Sequence, residues 1–214
     1  IPSSINSDTI NECQSISQQI IILSSVKDIE EGAFSGCSSI KQISIQSSIT
    51  SITKHCFCNC ISLTEITMPS SINEIEDFAF YGCSCLKQVI IPSSVTIIGD
   101  NSFNKCNSLD QITIPSTVKI IGENAFPNSL KQITFEYPSS LNIIKKSAFN
   151  NCSLLSEISL PSKLVRLEPL AFKLCTSLTH IKIPSLITKI ETSLLAGCSS
   201  LVSVIIPDSV MSIG

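Results

Sequence analysis

The chain has 214 residues, with 14 Lys and Arg against 17 Asp and Glu for a net charge of −3, and a mean hydropathy of +0.37. It is too apolar for disorder, its 14% of charged residues forms no basic stripe for nucleic acid or anionic lipid, and no apolar run approaches the ~18 residues of a membrane span. With 43% apolar but only 5% aromatic residues, and with Ile and Ser prevailing, many short strands and turns are expected rather than long helices.

Ile1-Pro2-Ser3-Ser4-Ile5 lacks the charged and apolar regions of a signal peptide. It reads in the same phase as Ile206-Pro207-Asp208-Ser209-Val210. Residues 1–214 are therefore expected to be a single repeat array, a stretch of a longer one without native caps, whose open ends favour end-to-end self-association. The first coil, 5–25, is degenerate: the spacing from Ile5 to Val26 is 21, the Phe is lost and Cys13 lies near its place.

From there a period of 23 takes over. Phe34, Phe57, Phe80, Phe103, Phe126, Phe149 and Phe172 are each 23 residues apart. Three residues after these positions, and after Leu195 at the next step of the series, stand Cys37, Cys60, Cys83, Cys106, Cys152, Cys175 and Cys198, with one gap. A third ladder of β-branched or Leu anchors runs from Val26 through Ile49, Ile72, Val95, Val118, Leu141, Leu164 and Ile187 to Val210.

One unit, Leu86 to Ser108, shows what each part does. Val89 and Ile91 alternate with Gln88 and Ile90, which is strand patterning, and Pro92 ends the strand because it cannot donate to a ladder. Pro-Ser-Ser turns the chain. The block exemplified by Ala33, Phe34, Cys37 and Ile40 then places its apolar residues on one face of a short helical turn. A coil this short cannot bury its own apolar face, so coils stack, each Phe and each Ile on its counterpart, into a solenoid. The coil at 118–141 is irregular: Phe126-Pro127-Asn128-Ser129-Leu130 has lost two residues and the Cys, and Phe135-Glu136-Tyr137-Pro138 gains two, restoring the phase. Glu136 and Tyr137 are candidates for a protruding contact turn.

The recurring pattern Leu-x-x-Ile-x-Ile-Pro-x-x-Val-x-x-Ile-x-x-x-Ala-Phe-x-x-Cys-x-x-Leu, closely matched by Glu31-Gly32-Ala33-Phe34-Ser35-Gly36-Cys37, resembles the BspA-like surface-antigen class of leucine-rich repeats. The resemblance covers about nine coils. It implies a curved leucine-rich repeat solenoid with parallel β-strands on the concave side and short helical or irregular turns on the other. It further implies a place at the cell surface or outside the cell, on microbial proteins that attach to host cells and matrix proteins.

The residues themselves offer little chemistry. Eleven Cys is an odd number, and seven belong to the ladder, where in-register neighbours ~4.8 Å apart are poorly placed for disulfides; they are expected to be buried thiols. His55-Cys56-Phe57-Cys58-Asn59-Cys60 with Cys83-Ser84-Cys85 invites a zinc site, or a disulfide between Cys58 and Cys85, but Cys56 and Cys60 point inward and Cys58 outward, so ligands would not converge. His55 and His180 stand roughly 26 Å apart along the stack. Gly99 and Gly122 recur as turn glycines, and Asn151-Cys152-Ser153 is a lone sequon. No cofactor, metal or catalytic residue is assigned, and an enzyme is not expected.

What remains is the strand face. By period 2 its outward rows are Gln42, Glu65, Gln88, Gln111, Gln132, Glu157, His180, Ser203 and Ser44, Thr67, Ile90, Thr113, Thr134, Ser159, Lys182, Ile205. They are rich in amide and hydroxyl groups and nearly neutral, so a protein partner would be held by many weak hydrogen bonds and by shape. Gln88, Ile90, Gln111, Thr113, Gln132, Thr134, Glu157 and Lys182 are the candidate contacts. The expected function is a non-enzymatic protein-binding array of an adhesin that engages host or extracellular matrix proteins. The alternative is an intracellular interaction scaffold or a passive spacer.

Overall fold

The computed structural model describes residues 4–6 and 18–214, and Cys13 lies outside them. The chain winds as a solenoid of about nine turns of ~23 residues built from short parallel strands. Each coil contributes up to two of them.

The first ladder is the expected strand face. Gln19–Ile22, Gln42–Ile45 and Glu65–Thr67 form one parallel sheet, Gln111–Ile114 with Gln132–Phe135 a second, and His180–Lys182 with Ser203–Ile205 a third. The second ladder, which period-2 reading of the Leu-x-x-Ile-x-Ile segment overlooks, consists of two-residue strands on the coil's flank. Its central part pairs Ser51–Ile52, Glu74–Ile75, Ile97–Ile98, Ile120–Ile121, Ile143–Ile144 and Arg166–Leu167 into one six-stranded sheet, while Ser4–Ile5 with Asp28–Ile29 and Lys189–Ile190 with Ser212–Ile213 pair separately toward the two ends. Its signal was present in the sequence: Ile29, Ile52, Ile75, Ile98, Ile121, Ile144 and Leu167 recur every 23 residues, and all are buried.

Register explains the irregular coils. Ile97 pairs with Ile120 and Ile120 with Ile143, an offset of 23, whereas on the face Gln111 pairs with Gln132, an offset of 21. The two residues missing between the flank strand at 120–121 and the face strand at 132–135 are restored before 143, as expected for coil 118–141. At the start, Ile5 pairs with Ile29, so it occupies the flank-strand position of Ile213 and not the anchor position of Val210. The reason is pairing geometry: the chain places Ile5 where it extends the flank ladder, 24 residues from its partner.

Opposite the strand face the backbone takes turns, not a helical turn; the described residues contain no helix. Consecutive amides divide their bonds. Ala33, Ser35 and Cys37 N–H donate within the coil to Glu30, Gly32 and Phe34, while Gly32, Phe34 and Gly36 N–H donate to Lys54, Cys56 and Cys58 of the next coil. A single helical turn would leave its terminal N–H and C=O groups unpartnered. Passing alternate amides to the next coil satisfies them. Two residues per coil pay no such debt locally and instead adopt left-handed φ: Gly32, His55, Phe78, Asn101, Asn124, Ser147, Leu170 and Ser193 in one series, Gly36, Asn59, Gly82, Lys105, Asn151, Leu174 and Gly197 in the other. Gly and Asn, which tolerate this conformation, fill many of these places.

Inside the turns the Phe rings form a stack with centroids 5.0 to 6.4 Å apart. The Cys beside each does more than fill space. Cys60 Sγ donates to the Phe34 carbonyl at 3.1 Å, and Cys83, Cys106 and Cys198 repeat the bond to Phe57, Phe80 and Phe172 at the same distance. A thiol is thus both a small hydrophobe and a weak donor at one site. Where the ladder skips, Ser129 Oγ donates to Leu109 O at 2.8 Å and the rings of Phe103 and Phe126 stand widest apart, at 6.4 Å. Gly99 and Gly122 are not turn glycines: their φ is not positive, but a Cβ on Gly122 would run into the Gly99 carbonyl carbon, so stacked backbones touch there.

Candidate functional site

The strand face carries the candidate contacts where expected. Gln88, Ile90, Gln111, Thr113, Gln132, Thr134, Glu157 and Lys182 are all exposed, while the alternating Val89, Ile112, Ile133, Ile158 and Ile181 are buried. Pleating alone decides this, because successive strand side chains point to opposite sides. Tyr137 stands out at 95% exposed. Its neighbour Glu136, also exposed, is tied down by accepting the Ser116 N–H at 3.2 Å.

The face is not one continuous ladder. Gln88–Ile91, read from its alternation as a typical strand, belongs to no strand, and no main-chain hydrogen bond joins Lys87–Ile91 to Thr64–Met68 on one side or to Asp110–Ile114 on the other. Three coils later the lapse recurs: Glu157 bridges to His180, but Ile158–Leu160 pairs with neither neighbour. The second lapse adjoins the two inserted residues at Phe135–Pro138. For the first the sequence offers only Ile90 in a row of Thr and Ser; local alternation cannot report whether a neighbouring coil is within bonding distance.

Clefts open along both lapses. On one side of Gln88–Ile91 a cleft of about 380 Å³ is lined by Gln88, Ile90, Gln111, Thr113, Thr134 and Glu136, among others. On the other side, one of about 410 Å³ lies between Glu65, Thr67 and Met68 and the same Gln88 and Ile90. Clefts of about 340 and 430 Å³ likewise flank Ile158–Leu160, and Lys163 and Lys182 border them. These volumes are in the ~300–1,000 Å³ range of ligand sites. Sequence reasoning placed these residues on the exposed strand face but did not foresee the clefts between coils.

Elsewhere many polar groups hold coils together, although Ser47 Oγ, Ser102 Oγ and Asn150 Oδ1 are buried without a partner. Asp77 Oδ1 accepts the Asp100 N–H, and Asp100 Oδ1 accepts both the Glu123 N–H, at 2.8 Å, and Lys145 Nζ, at 3.0 Å. Burial, then the adjacent Glu76 and Asp77, raises the Glu74 carboxyl above its ordinary value. His55 stacks on Phe78 at 4.9 Å, and His180 on the strand face meets Thr179 Oγ1 at 3.0 Å.

The thiols are similarly absorbed. The nine described cysteines other than Cys37 are free thiols, and the seven of the ladder are buried. Burial pushes Cys175 up to about 12 and raises Cys56 and Cys106 further, which keeps them protonated and inert. Cys58 is not outward: it is 8% exposed, because its small side chain lies against Ser35 of the preceding coil, with which it hydrogen-bonds. Cys85 is exposed. Among the described residues no group of three or more His, Cys, Asp or Glu could hold a metal ion, and no helix is long and apolar enough to cross a membrane.

Known structures of the same build were found. A leucine-rich repeat protein from Bacteroides ovatus ATCC 8483 is 28% identical with a TM-score of 0.69, over 92% of this chain and 57% of that one. The leucine-rich repeat protein of T. pallidum is 26% identical with a TM-score of 0.60, over 86% and 78% of the two chains. One from Eubacterium ventriosum ATCC 27560 is 26% identical with a TM-score of 0.56, over 84% and 58%. This chain thus spans less than two thirds of the Bacteroides and Eubacterium proteins. No curated protein matches it. Repeat arrays of this family and fold are typically non-catalytic. The family pattern described as BspA type Leucine rich repeat region matches residues 3–132 and 96–214, with six copies, and with the repeat, the parallel ladders and the Phe and Cys stack in place, this chain belongs to that family.

Proposed function

We propose that the chain is a non-enzymatic, protein-binding stretch of a cell-surface array, and that its strand face engages a host or extracellular matrix protein. The observation that carries this reading is the contrast between the faces. Acids, thiols and turn residues on the flank and outer arc are engaged in stacking the coils, whereas the exposed rows of the strand face share few such bonds, Gln42 to Glu65 being one, and are interrupted by clefts. Such a neutral face binds through many hydrogen bonds and shape, so affinity should change little between ~0.1 and 1 M salt.

The test has two arms. Antibody raised to this chain should stain intact source cells, and the purified array should retain individual matrix proteins on a sensor surface. Alanine at both Gln111 and Thr113 should weaken that retention without altering the thermal midpoint. Staining only after permeabilisation would overturn the surface assignment and favour an intracellular scaffold; retention unaffected by changes across the strand face would overturn the binding assignment.

A further inference from the structure

The cleft beside Gln88–Ile91 has a chemical character that narrows the partner. Three neighbouring main-chain segments meet there with unused pairing capacity. Lys87–Ile91 bonds to neither neighbour, Glu65–Thr67 pairs only with Gln42–Ser44, and Gln111–Ile114 pairs only with Gln132–Phe135. Meanwhile the rest of the same coils stays in register: Glu74–Ile75, Ile97–Ile98 and Ile120–Ile121 pair without a gap, and the rings of Phe80 and Phe103 stack at 5.4 Å. The lapse is thus confined to the strand face and is framed by rigid structure.

Unpaired edge groups are a template for another extended chain. Of the residues lining the cleft toward Gln111, Glu136 is the only ionisable one; Gln88, Gln111, Thr113 and Thr134 supply neutral donors and acceptors, and Ile90, 72% exposed, forms an apolar edge. Glu136 follows Phe135, at the carboxyl end of the strands.

We propose that this cleft takes up an extended peptide segment of the partner protein, aligned parallel to the coils, hydrogen-bonded to the main chain of Lys87–Ile91, uncharged over about four residues, and carrying a Lys or Arg at its carboxyl end opposite Glu136. This rests on the protein-binding reading above and specifies its chemistry. Parallel pairing gives evenly spaced bonds and places side chains alternately over the cleft and toward solvent, so main-chain bonds supply affinity and the Glu136 contact sets direction.

The probe is the synthetic peptide acetyl-Thr-Ile-Thr-Ile-Thr-Lys-amide, followed by amide resonances and hydrogen exchange of the isotopically labelled chain. In the free protein the amides of Lys87–Ile91 should exchange at least tenfold faster than those of the paired Gln111–Ile114. Peptide at about 1 mM should shift resonances at Lys87–Ile91 and Gln111–Thr113 and slow that exchange. The same peptide N-methylated at alternate residues should do neither. Ile90→Lys, which puts a charge at an exposed position between the clefts, should weaken the shifts about tenfold, and Glu136→Gln should weaken binding of the Lys peptide while leaving a Gln-ended peptide unchanged.

Protected amides at Lys87–Ile91 in the free protein, no response to the peptide, or equal binding of the N-methylated peptide would overturn the proposal. Protection that grows with protein concentration alone would also overturn it, assigning the edge to a second copy of the chain. A matrix protein retained by the array with no footprint on Lys87–Ile91 would remove this inference and leave the protein-binding function standing.

Discussion

The flank and the strand face of this solenoid are built from the same coils, yet between Ser51 and Leu167 the flank is continuously paired while the face is broken. The flank ladder crosses the deleted and inserted residues of coil 118–141 without losing a pair and lapses nearer the ends, between Asp28–Ile29 and Ser51–Ile52 and between Arg166–Leu167 and Lys189–Ile190, whereas over the same central coils the face lapses at Gln88–Ile91 and at Ile158–Leu160. The difference lies in what backs each region. Behind the flank and outer arc are stacked Phe rings, thiols donating to carbonyls and backbone contacts too close for a Cβ at Gly99 and Gly122. The face has only its inward Ile row, and its outward side chains meet no neighbouring layer. A repeat protein can therefore hold its coils by one side and leave the other open to change.

If that division is right, the largest effect comes from the stack. Phe103→Ala should cost ~3–5 kcal/mol in a denaturant titration, because a buried ring is removed between two others. Stability unchanged by that substitution would break the comparison. Gly122→Ala should cost about 1–3 kcal/mol, since the new Cβ would meet the Gly99 and Asp100 backbone, which cannot yield as a flexible side chain would.

The thiols sharpen the same contrast through pH. Burial raises their folded-state pKa above the ordinary thiol value of 9.0, so the folded state binds more protons than the unfolded one at alkaline pH. Their contribution is fully present below about pH 9 and is lost as pH rises toward their folded values, at up to about 1.4 kcal/mol per pH unit for each thiol in that window. Denaturant midpoints measured from pH 8 upward should fall, and Cys106→Ala should make the fall shallower while costing about 1 kcal/mol at neutral pH for the lost bond to the Phe80 carbonyl.

The smallest expected effect is a gain. Leu174 is exposed and holds φ at 61°, at the coil position filled by Asn59 and Asn151. Leu174→Asn should stabilise by roughly 0.5–1 kcal/mol, read as a rise in thermal midpoint, because Asn tolerates the left-handed region better. A gain at the outer arc of the same size as the loss there from Gly122→Ala would contradict the view that close stacking dominates that side.

How legible this was can be followed residue by residue. The Phe, Cys and anchor ladders fixed which side chains are buried, and the alternation about Ile112 and Ile133 placed Gln111, Thr113, Gln132 and Thr134 on the exposed face. The helical turn was misread because Ala33, Phe34, Cys37 and Ile40 have helical spacing; the same spacing serves turns whose alternate amides bond to the next coil. The two series of left-handed residues were visible only where Gly or Asn marks them, since Phe78, Leu170 and Leu174 are held there by the neighbouring coils against their own preference.

Period and composition alone determined that the chain stacks in ~23-residue coils with an aromatic and thiol interior, because a coil of that size has no other way to bury its apolar side. The tertiary structure decided which outward residues line a cleft. Whether Gln88–Ile91 bonds to its neighbours depends on the separation of main chains belonging to different coils, a distance that no residue within a single coil can set.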